Sequence, residues 1–317
     1  MNGRPILVVA ALVVLTATPR AISTLPAAQD PERHVFVTVL DGDGNPIAGL
    51  TAAHFAVREG GRDREVLRLE PLETPMHVSV LVDTTIGGGT PDEGFRSAIE
   101  GFLARLTINH QVALYAFGNR AALVHPFTQD GGALRRAMTG IFAATQGGSY
   151  LIDAIDLALA DMKPIEPARP VIVAITSETA DASRRTAGGV IKELIKQTTA
   201  FHSVVLATAT GSGTASRITR DIPSSSQRMQ GMIALGEGDR ERTQALQQGT
   251  SLTGGSLQRV TNVAAVAPAL TRLTRELGSG YRLTFSRRGS DPLKDLQVGV
   301  MLDGVALRAT PSPRSPK

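Results

Sequence analysis

The stretch HVSVLVDTTIGGGTPDEGF, residues 77–95, decides the fold of this chain. Four of its first six residues are Val or Leu, which favours a strand buried on both faces. Asp83 ends that strand, and hydroxyls and three glycines follow before a new apolar periodicity begins at Phe95. A buried strand that turns into a helix in this way is typical of α/β proteins.

Strands and amphipathic helices alternate along the chain after this stretch. Further apolar strands are predicted at 111–117, 171–176 and 202–208, with a shorter candidate at 121–127. Between and after them, apolar residues recur at the helical spacing. These residues are Phe95, Ile99, Phe102, Leu103 and Leu106; Leu151, Ile155, Leu159 and Met162; Val190, Ile191, Leu194 and Ile195; and Val266, Leu270, Leu273 and Leu277. The alternation predicts a Rossmann-like, doubly wound and mostly parallel sheet with helices on both faces.

Short strands flank this α/β region at both ends. The segments HVFVTVL and FAVREGGRDREVLRLE precede it, and YRLTFS and LQVGVMLDGVALRA follow it, with Asp303 and Gly304 predicted as a hairpin turn. Because the termini of a domain often lie close together, we expect residues 33–75 and 279–311 to pack as one small β module. The α/β domain, residues 76–278, would then be inserted between them.

The N-terminal segment has the layout of a secretory signal. Arg4 is followed by the apolar run PILVVAALVVLTA and then by small residues and prolines. We expect residues 1–28 to be a signal peptide, cleaved between Ala21 and Gln29, and the mature protein to be secreted or periplasmic. An uncleaved N-terminal anchor is the alternative, although the apolar run is short for a bilayer span.

Composition excludes several classes of function. Cysteine is absent, so the chain has no disulfide, thiolate metal site, cysteine nucleophile or lipidated cysteine. The net charge is +4 and the pI 9.7, but the arginines are scattered among acids and aromatic residues make up only 4%. No basic stripe or stacking platform for nucleic acid is present, and no transmembrane segment is predicted beyond the signal.

One long segment lacks periodicity. Residues 208–238, TATGSGTASRITRDIPSSSQRMQGMIALGEG, are rich in glycine and serine and follow a predicted strand. We expect a long loop at the end of that strand, where α/β folds place functional groups.

Oxygen-bearing side chains stand at three corresponding places in the alternating pattern. Asp83 ends the first strand, Ser177 follows the strand VIVAIT, and Ser149 begins a helix after TQGG. In an open parallel sheet such strand ends meet at one edge, where ligands bind. These oxygens suit a hard cation such as Mg²⁺, Ca²⁺ or Mn²⁺.

The sequence resembles the von Willebrand factor A domain family, in particular bacterial secreted members with a β segment before the domain and strands after it. The resemblance extends from VTVLDGDGNPIAGLTAAHFAVREGG to TRELGSGYRLTFS. It implies a metal-ion-dependent adhesion site, which in the family reads D-x-S-x-S, then a threonine, then an aspartate after the fourth strand. The positions here that match this pattern are Asp83, Thr85 and Gly87; Ser149; and Ser177.

Two departures weaken that site. Gly87 has no hydroxyl, and Ser177 removes one of the two carboxylates that offset the charge of the cation. Glu178 or Asp181, in the same loop, could substitute for the missing carboxylate through water. We therefore expect no obligatory cofactor, at most weak binding of Mg²⁺ or Mn²⁺, and a structural role for Asp83 as a cap of the following turn.

These features favour an exported, non-catalytic protein-binding or scaffolding module whose unidentified protein partner binds at the C-terminal edge of the strands. A metal-dependent (Mg²⁺, Mn²⁺ or Ca²⁺) adhesion protein is the alternative. A hydrolase is a remote one, because the serines and the six histidines form no G-x-S-x-G or H-E-x-x-H motif.

Overall fold

The computed structural model describes residues 32–86, 93–142, 148–207, 225–286 and 296–311. The strands in these ranges are β1 (Glu32–Leu40), β2 (Phe55–Glu59), β3 (Arg62–Arg64), β4 (Val66–Pro71), β5 (His77–Asp83), β6 (Gln111–Phe117), β7 (Ala121–Thr128), β8 (Pro170–Ser177), β9 (Ala200–Leu206), β10 (Leu257–Val260), β11 (Tyr281–Ser286), β12 (Gln297–Val300) and β13 (Ala306–Pro311). The α-helices are α1 (Glu93–Leu106), α2 (Gly131–Met138), α3 (Leu151–Met162), α4 (Ala187–Lys196), α5 (Ser225–Leu252) and α6 (Val266–Gly278).

The centre of the molecule is a six-stranded sheet in the order β10-β9-β8-β5-β6-β7. All neighbouring strands in it are parallel except β7, which pairs antiparallel with β6 at one edge. This confirms the predicted Rossmann-like α/β class. Strand β5 lies between β6 and β8, so its C-terminal end sits in the middle of one edge of the sheet.

Helices cover both faces of this sheet, which explains why β5, β8 and β9 are buried along nearly their whole length. Val78, Val80 and Val82 share a core with the apolar faces of α1 and α6. Leu81 belongs to the core on the other face, with α3, α4 and the C-terminal half of α5.

The flanking strands form two further sheets that share one apolar core. A four-stranded sheet has the order β13-β1-β11-β4, and a three-stranded sheet has the order β12-β2-β3. Both contribute to a core made of Val35, Val37, Val39, Phe55, Val57, Leu283 and Phe285. Strands from before and after the α/β region are therefore hydrogen-bonded to each other, as in the pairing of β1 with β11 and β13.

The predicted hairpin at Asp303 and Gly304 is wrong. A turn is present, and Gly304 takes the positive φ of 70° that a turn glycine allows. However, β12 pairs with β2 and β13 pairs with β1, so the connection crosses from one sheet to the other. Val298 and Leu307 pack on the same core from the two sheets. Burial on both sides thus outweighs the local preference for a hairpin.

The prediction of a loop over residues 208–238 is wrong for residues 225–238, which are helical. Residues 208–224 lie outside the described residues, but α5 begins at Ser225 and continues to Leu252. Met232 and Ile233 are 59% and 55% exposed. The helix therefore has no buried stripe there, and its sequence lacks the amphipathic period by which a helix is recognised.

The described helices include none that is both long enough and apolar enough to span a membrane. The predicted signal segment, residues 1–28, lies outside the described residues.

Candidate functional site

Asp83 is the centre of the site at the C-terminal edge of the sheet. It is fully buried at the end of β5. Its Oδ1 accepts hydrogen bonds from the backbone N–H of Thr85 at 3.0 Å and from the Thr85 hydroxyl at 2.6 Å. Its Oδ2 accepts one from the Thr176 hydroxyl at 2.9 Å. The carboxylate thus caps the turn after β5 and ties it to the neighbouring strand β8.

The structure brings four of the five predicted site residues together. Ser149, two residues before the start of α3, donates to Asp83 Oδ2 at 3.4 Å. The backbone N–H and the hydroxyl of Ser177 both lie 3.3 Å from the same oxygen, and Thr85 contacts the other oxygen. Gly87, the position of the missing hydroxyl, lies outside the described residues.

A residue that the sequence analysis did not identify, Arg242 of α5, fills the centre of this group. Its Nη1 donates to Ser149 Oγ at 3.0 Å, and its Nη2 donates to the Ser177 carbonyl at 2.7 Å and to the Thr176 hydroxyl. The Nη2 atom is 3.5 Å from Asp83 Oδ2. The Arg242 side chain is 4% exposed, so this guanidinium is a buried cation that contacts the oxygens predicted to bind metal.

Asp181 adds a second carboxylate to the site. Its Oδ2 lies 3.5 Å from Arg242 Nη1 and accepts from the backbone N–H of Leu151 at the start of α3. Burial raises the pKa of Asp181, and hydrogen bonds and Arg242 oppose that shift. Glu178, the other predicted substitute, is about half exposed and lies 3.6 Å from Arg259. Only Asp181 of the two therefore belongs to the buried group.

Burial lowers the pKa of Arg242, and the carboxylates of Asp83 and Asp181 oppose this shift. One guanidinium and two carboxylates leave a formal charge of −1 in a closed space, and the hydroxyls link the three charges. The sequence offered no signal for this arginine. In GEGDRERTQA it stands among charged residues that are typical of a solvated surface.

Comparison with known proteins identifies the domain. A family model described as a von Willebrand factor type A domain matches residues 87–179, a range that includes Ser149 and Ser177. This part of the chain matches a von Willebrand factor type A domain. No curated protein matches the sequence.

Several solved structures resemble this chain. The conserved hypothetical protein BatB from Bacteroides thetaiotaomicron is 17% identical, with a TM-score of 0.43, over 64% of this chain and 98% of that chain. A von Willebrand factor type A protein from Catenulispora acidiphila is 9% identical, with a TM-score of 0.45, over 91% of this chain and 74% of that chain. Proximal thread matrix protein 1 from the mussel byssus, solved with a zinc-occupied metal-ion-dependent adhesion site, is 8% identical, with a TM-score of 0.46, over 69% of this chain and 50% of that chain.

Metal binding can occur in von Willebrand factor type A domains, but the residues of this site do not fit a divalent cation. A Mg²⁺ ion binds oxygen at about 2.0–2.1 Å. Here Oδ2 of Asp83, which would be the metal ligand, already lies 3.5 Å from the guanidinium of Arg242. The hydroxyls of Ser149 and Thr176 accept hydrogen bonds from that guanidinium. A divalent ion would therefore meet strong repulsion at short range in a dry environment. Within the described ranges, no cluster of three or more His, Asp or Glu side chains could hold a metal.

A second buried polar group superficially resembles a hydrolytic triad. His202 Nδ1 lies 2.9 Å from the hydroxyl of Ser256, which lies 3.2 Å from Glu276 Oε2. However, that same Nδ1 also accepts a hydrogen bond from the backbone N–H of Ser256. The Glu276 carboxylate is at hydrogen-bond distance from the serine hydroxyl, but it lies 3.9 Å from the Nδ1 of His202. This geometry gives the serine no oriented base, so the group is structural.

Proposed function

We propose that this protein is exported and acts as a non-catalytic protein-binding or scaffolding module that requires no bound metal. The von Willebrand factor type A domain is generally a protein-interaction module, which supports the first part. The observation that carries the metal-free part is the guanidinium of Arg242 among the oxygens of Asp83, Ser149 and Thr176.

In this proposal Arg242 replaces the positive charge that a metal ion supplies elsewhere in the family. An arginine provides one charge and several hydrogen bonds in a fixed plane, whereas a divalent ion requires several anionic ligands to offset two charges. The guanidinium of Arg242 faces both Asp83 and Asp181 and also bonds to neutral oxygens of Ser149 and Ser177, a mixed set that suits an arginine. The buried guanidinium would then hold the strand-end loops in one arrangement, and no metal ligand would be exchanged for a carboxylate of the partner.

The partner surface would lie at the C-terminal edge of the strands. Helix α5 passes closely over this edge, because a Cβ on Gly238 would collide with the backbone of Asp181. The part of α5 before this contact exposes Met232 and Ile233. Large apolar side chains exposed beside a polar rim are typical of protein interaction surfaces. In metal-dependent adhesion a partner's carboxylate reaches the central cation. Here it would not, because Arg242 is buried.

Calorimetric titration of the mature protein with Mg²⁺ and Mn²⁺ tests this proposal. We expect no saturable binding by the unmodified protein. The double variant Arg242→Ala with Ser177→Asp should gain measurable affinity, because it removes the competing cation and restores a carboxylate. The matched control Arg240→Ala with Ser177→Asp changes an exposed arginine of the same helix and should gain none.

Micromolar binding by the unmodified protein, abolished by Asp83→Ala, would contradict the proposal and favour metal-dependent adhesion. Hydrolase activity that is lost on replacing Ser149 or Ser177 would favour the third interpretation. Affinity capture from an envelope fraction, with and without a chelator, would then identify the partner and show whether its binding depends on metal.

A further inference from the structure

A cavity of about 40 Å³ lies at the N-terminal edge of the central sheet, whereas the Arg242 site lies at the C-terminal edge. Its walls come from β1 and β13 on one side, and from the N-terminal ends of β8 and β9 and the end of α6 on the other. Since roughly 10–15 Å³ of such volume accommodates one water molecule, the cavity has room for about three waters or one group the size of acetate. The elements that form its walls place the cavity between the flanking strands and the α/β region.

Arg169 is a buried cation at this cavity without a carboxylate partner. It is 8% exposed and lines the cavity. Its Nη2 donates to the Leu277 carbonyl at 2.8 Å, and its Cζ lies 5.8 Å from the centre of the Phe36 ring. Among the described residues, no acidic side chain pairs with it. Burial lowers the pKa of Arg169 to about 10, and no nearby acid opposes that shift.

The other charged groups of the cavity balance one another. Glu276 Oε1 forms an ion pair with Arg308 Nε at 2.7 Å. His202 is neutral at physiological pH, because burial lowers its pKa to about 3. The remaining charge is that of Arg169. An uncompensated charge in a desolvated position is costly, so an anion in the cavity would relieve that cost.

The donors present in the cavity distinguish between classes of anion. The three hydroxyls that line it already donate to backbone carbonyls, Thr38 to Ser279, Thr198 to Gln197, and Thr310 to Thr253. Guanidinium N–H groups are left as donors: those of Arg169 beyond its bond to Leu277, and the Nη2 of Arg308 beyond its contacts with Glu276 and Gly255. Of the two, only Arg169 has no carboxylate partner among the described residues, and its planar guanidinium matches a carboxylate in a two-point contact. Phe36 and Val171 add apolar walls. A fully ionised phosphate would need more donors than these.

We propose that this cavity binds the carboxylate of a small organic acid, with Arg169 as the residue that contacts it. The ligand would lie between β1 and β13 on one side and β8 and β9 on the other. Its binding would stabilise the flanking strands against the α/β region.

Titration of the mature full-length protein with acetate, in a buffer without other carboxylates or phosphate, tests this inference. Calorimetry and saturation-transfer NMR on the acetate methyl group should show saturable binding, and the unfolding temperature should rise with acetate concentration. Arg169→Met should weaken acetate binding at least about tenfold. Arg169→Lys, which keeps the charge but loses the planar fork, should weaken it less.

Arg105→Met, which removes an equal charge from the exposed face of α1, should leave acetate affinity unchanged. Circular dichroism and thermal unfolding check that each variant is folded, and if Arg169→Met is not, Arg169→Lys and the titration of the unmodified protein decide. Absence of saturable acetate binding by the unmodified protein would overturn the inference. So would tighter binding of inorganic phosphate than of acetate, or full acetate affinity in a folded Arg169 variant.

Discussion

At the scale of single residues, the charge balance of the strand-end site depends on Arg242. Its guanidinium lies 3.5 Å from both Asp83 and Asp181, and all three side chains are at most 4% exposed. Replacing it with methionine keeps the apolar stem but leaves two buried carboxylates without a cation. We expect Arg242→Met to lower the free energy of unfolding at neutral pH by about 3–5 kcal/mol, measured by urea denaturation followed by circular dichroism.

The loss caused by Arg242→Met should become smaller at acid pH. Burial raises the pKa of Asp181 in the unmodified protein, and removal of the cation raises it further. A carboxyl whose pKa is higher in the folded state contributes stability when protonated, and this contribution is lost as the pH rises through the folded pKa. The difference between variant and unmodified protein should therefore narrow as the pH falls towards about 4. Arg240→Met, on the exposed side of the same helix, should lower the free energy of unfolding by less than about 0.5 kcal/mol. If the two variants lost the same stability, Arg242 would not be the residue that balances the charge of the site.

The sequence predicts part of this site and not the rest, for physical reasons. Asp83, Ser149 and Ser177 were found because parallel strands carry their C-terminal ends to one edge, so local patterns place them together. Arg242 was not found, because its contacts are made across 93 residues of chain to Ser149. A charged residue in a polar segment is usually solvated, and nothing local distinguishes the exception.

At the scale of elements, α5 is a helix anchored in its C-terminal half. Leu246 is 5% exposed and packs in the core beneath α3 and α4, whereas Met232 is 59% exposed. Leu246→Ala should therefore cost about 2–4 kcal/mol of unfolding free energy, and Met232→Ala less than about 0.5 kcal/mol. Urea denaturation of the two variants measures both. Equal costs would mean that α5 does not pack on the sheet as described.

The elements that sequence patterns predict well are those whose residues are buried on a regular face. The strands β5, β8 and β9 and the helices α1, α3, α4 and α6 all fall in this class. The N-terminal half of α5 has no buried stripe, and the connection between β12 and β13 depends on two sheets that meet only in the folded protein. Patterns of hydrophobicity carry no information on either feature.

At the scale of the whole molecule, the flanking strands and the α/β region have separate cores. The two cores of the central sheet are built from residues between Met76 and Leu277. The third is built from the flanking strands alone. We propose on this basis that residues 76–278 form one domain and that 33–75 and 279–311 together form the other. Polar contacts link the two, among them the hydrogen bond from Arg308 to the Gly255 carbonyl at 2.6 Å.

The ion pair between Glu276 of α6 and Arg308 of β13 should be the main polar link between these parts. Glu276 is 7% exposed at its side chain and Arg308 is 32% exposed. Burial raises the pKa of Glu276 while Arg308 opposes the shift, so loss of the arginine leaves a carboxylate that is poorly solvated. In a double-mutant cycle, we expect Arg308→Met with Glu276→Gln to be less destabilising than the sum of the single changes, with a coupling of about 1–3 kcal/mol.

The pair formed by Glu32 and Arg68 supplies the matched control for that cycle, because both residues lie within the flanking strands and are 39% and 49% exposed. Solvent screens such a pair, so the cycle of Glu32→Gln with Arg68→Met should give a clearly smaller coupling than the cycle of Glu276 with Arg308. Urea denaturation of the unmodified protein and the six variants provides both values. If the coupling between Glu276 and Arg308 were no larger than that of the exposed pair, the ion pair would not hold the flanking strands to the α/β region, and the contacts of Arg169 and Thr310 would have to do so.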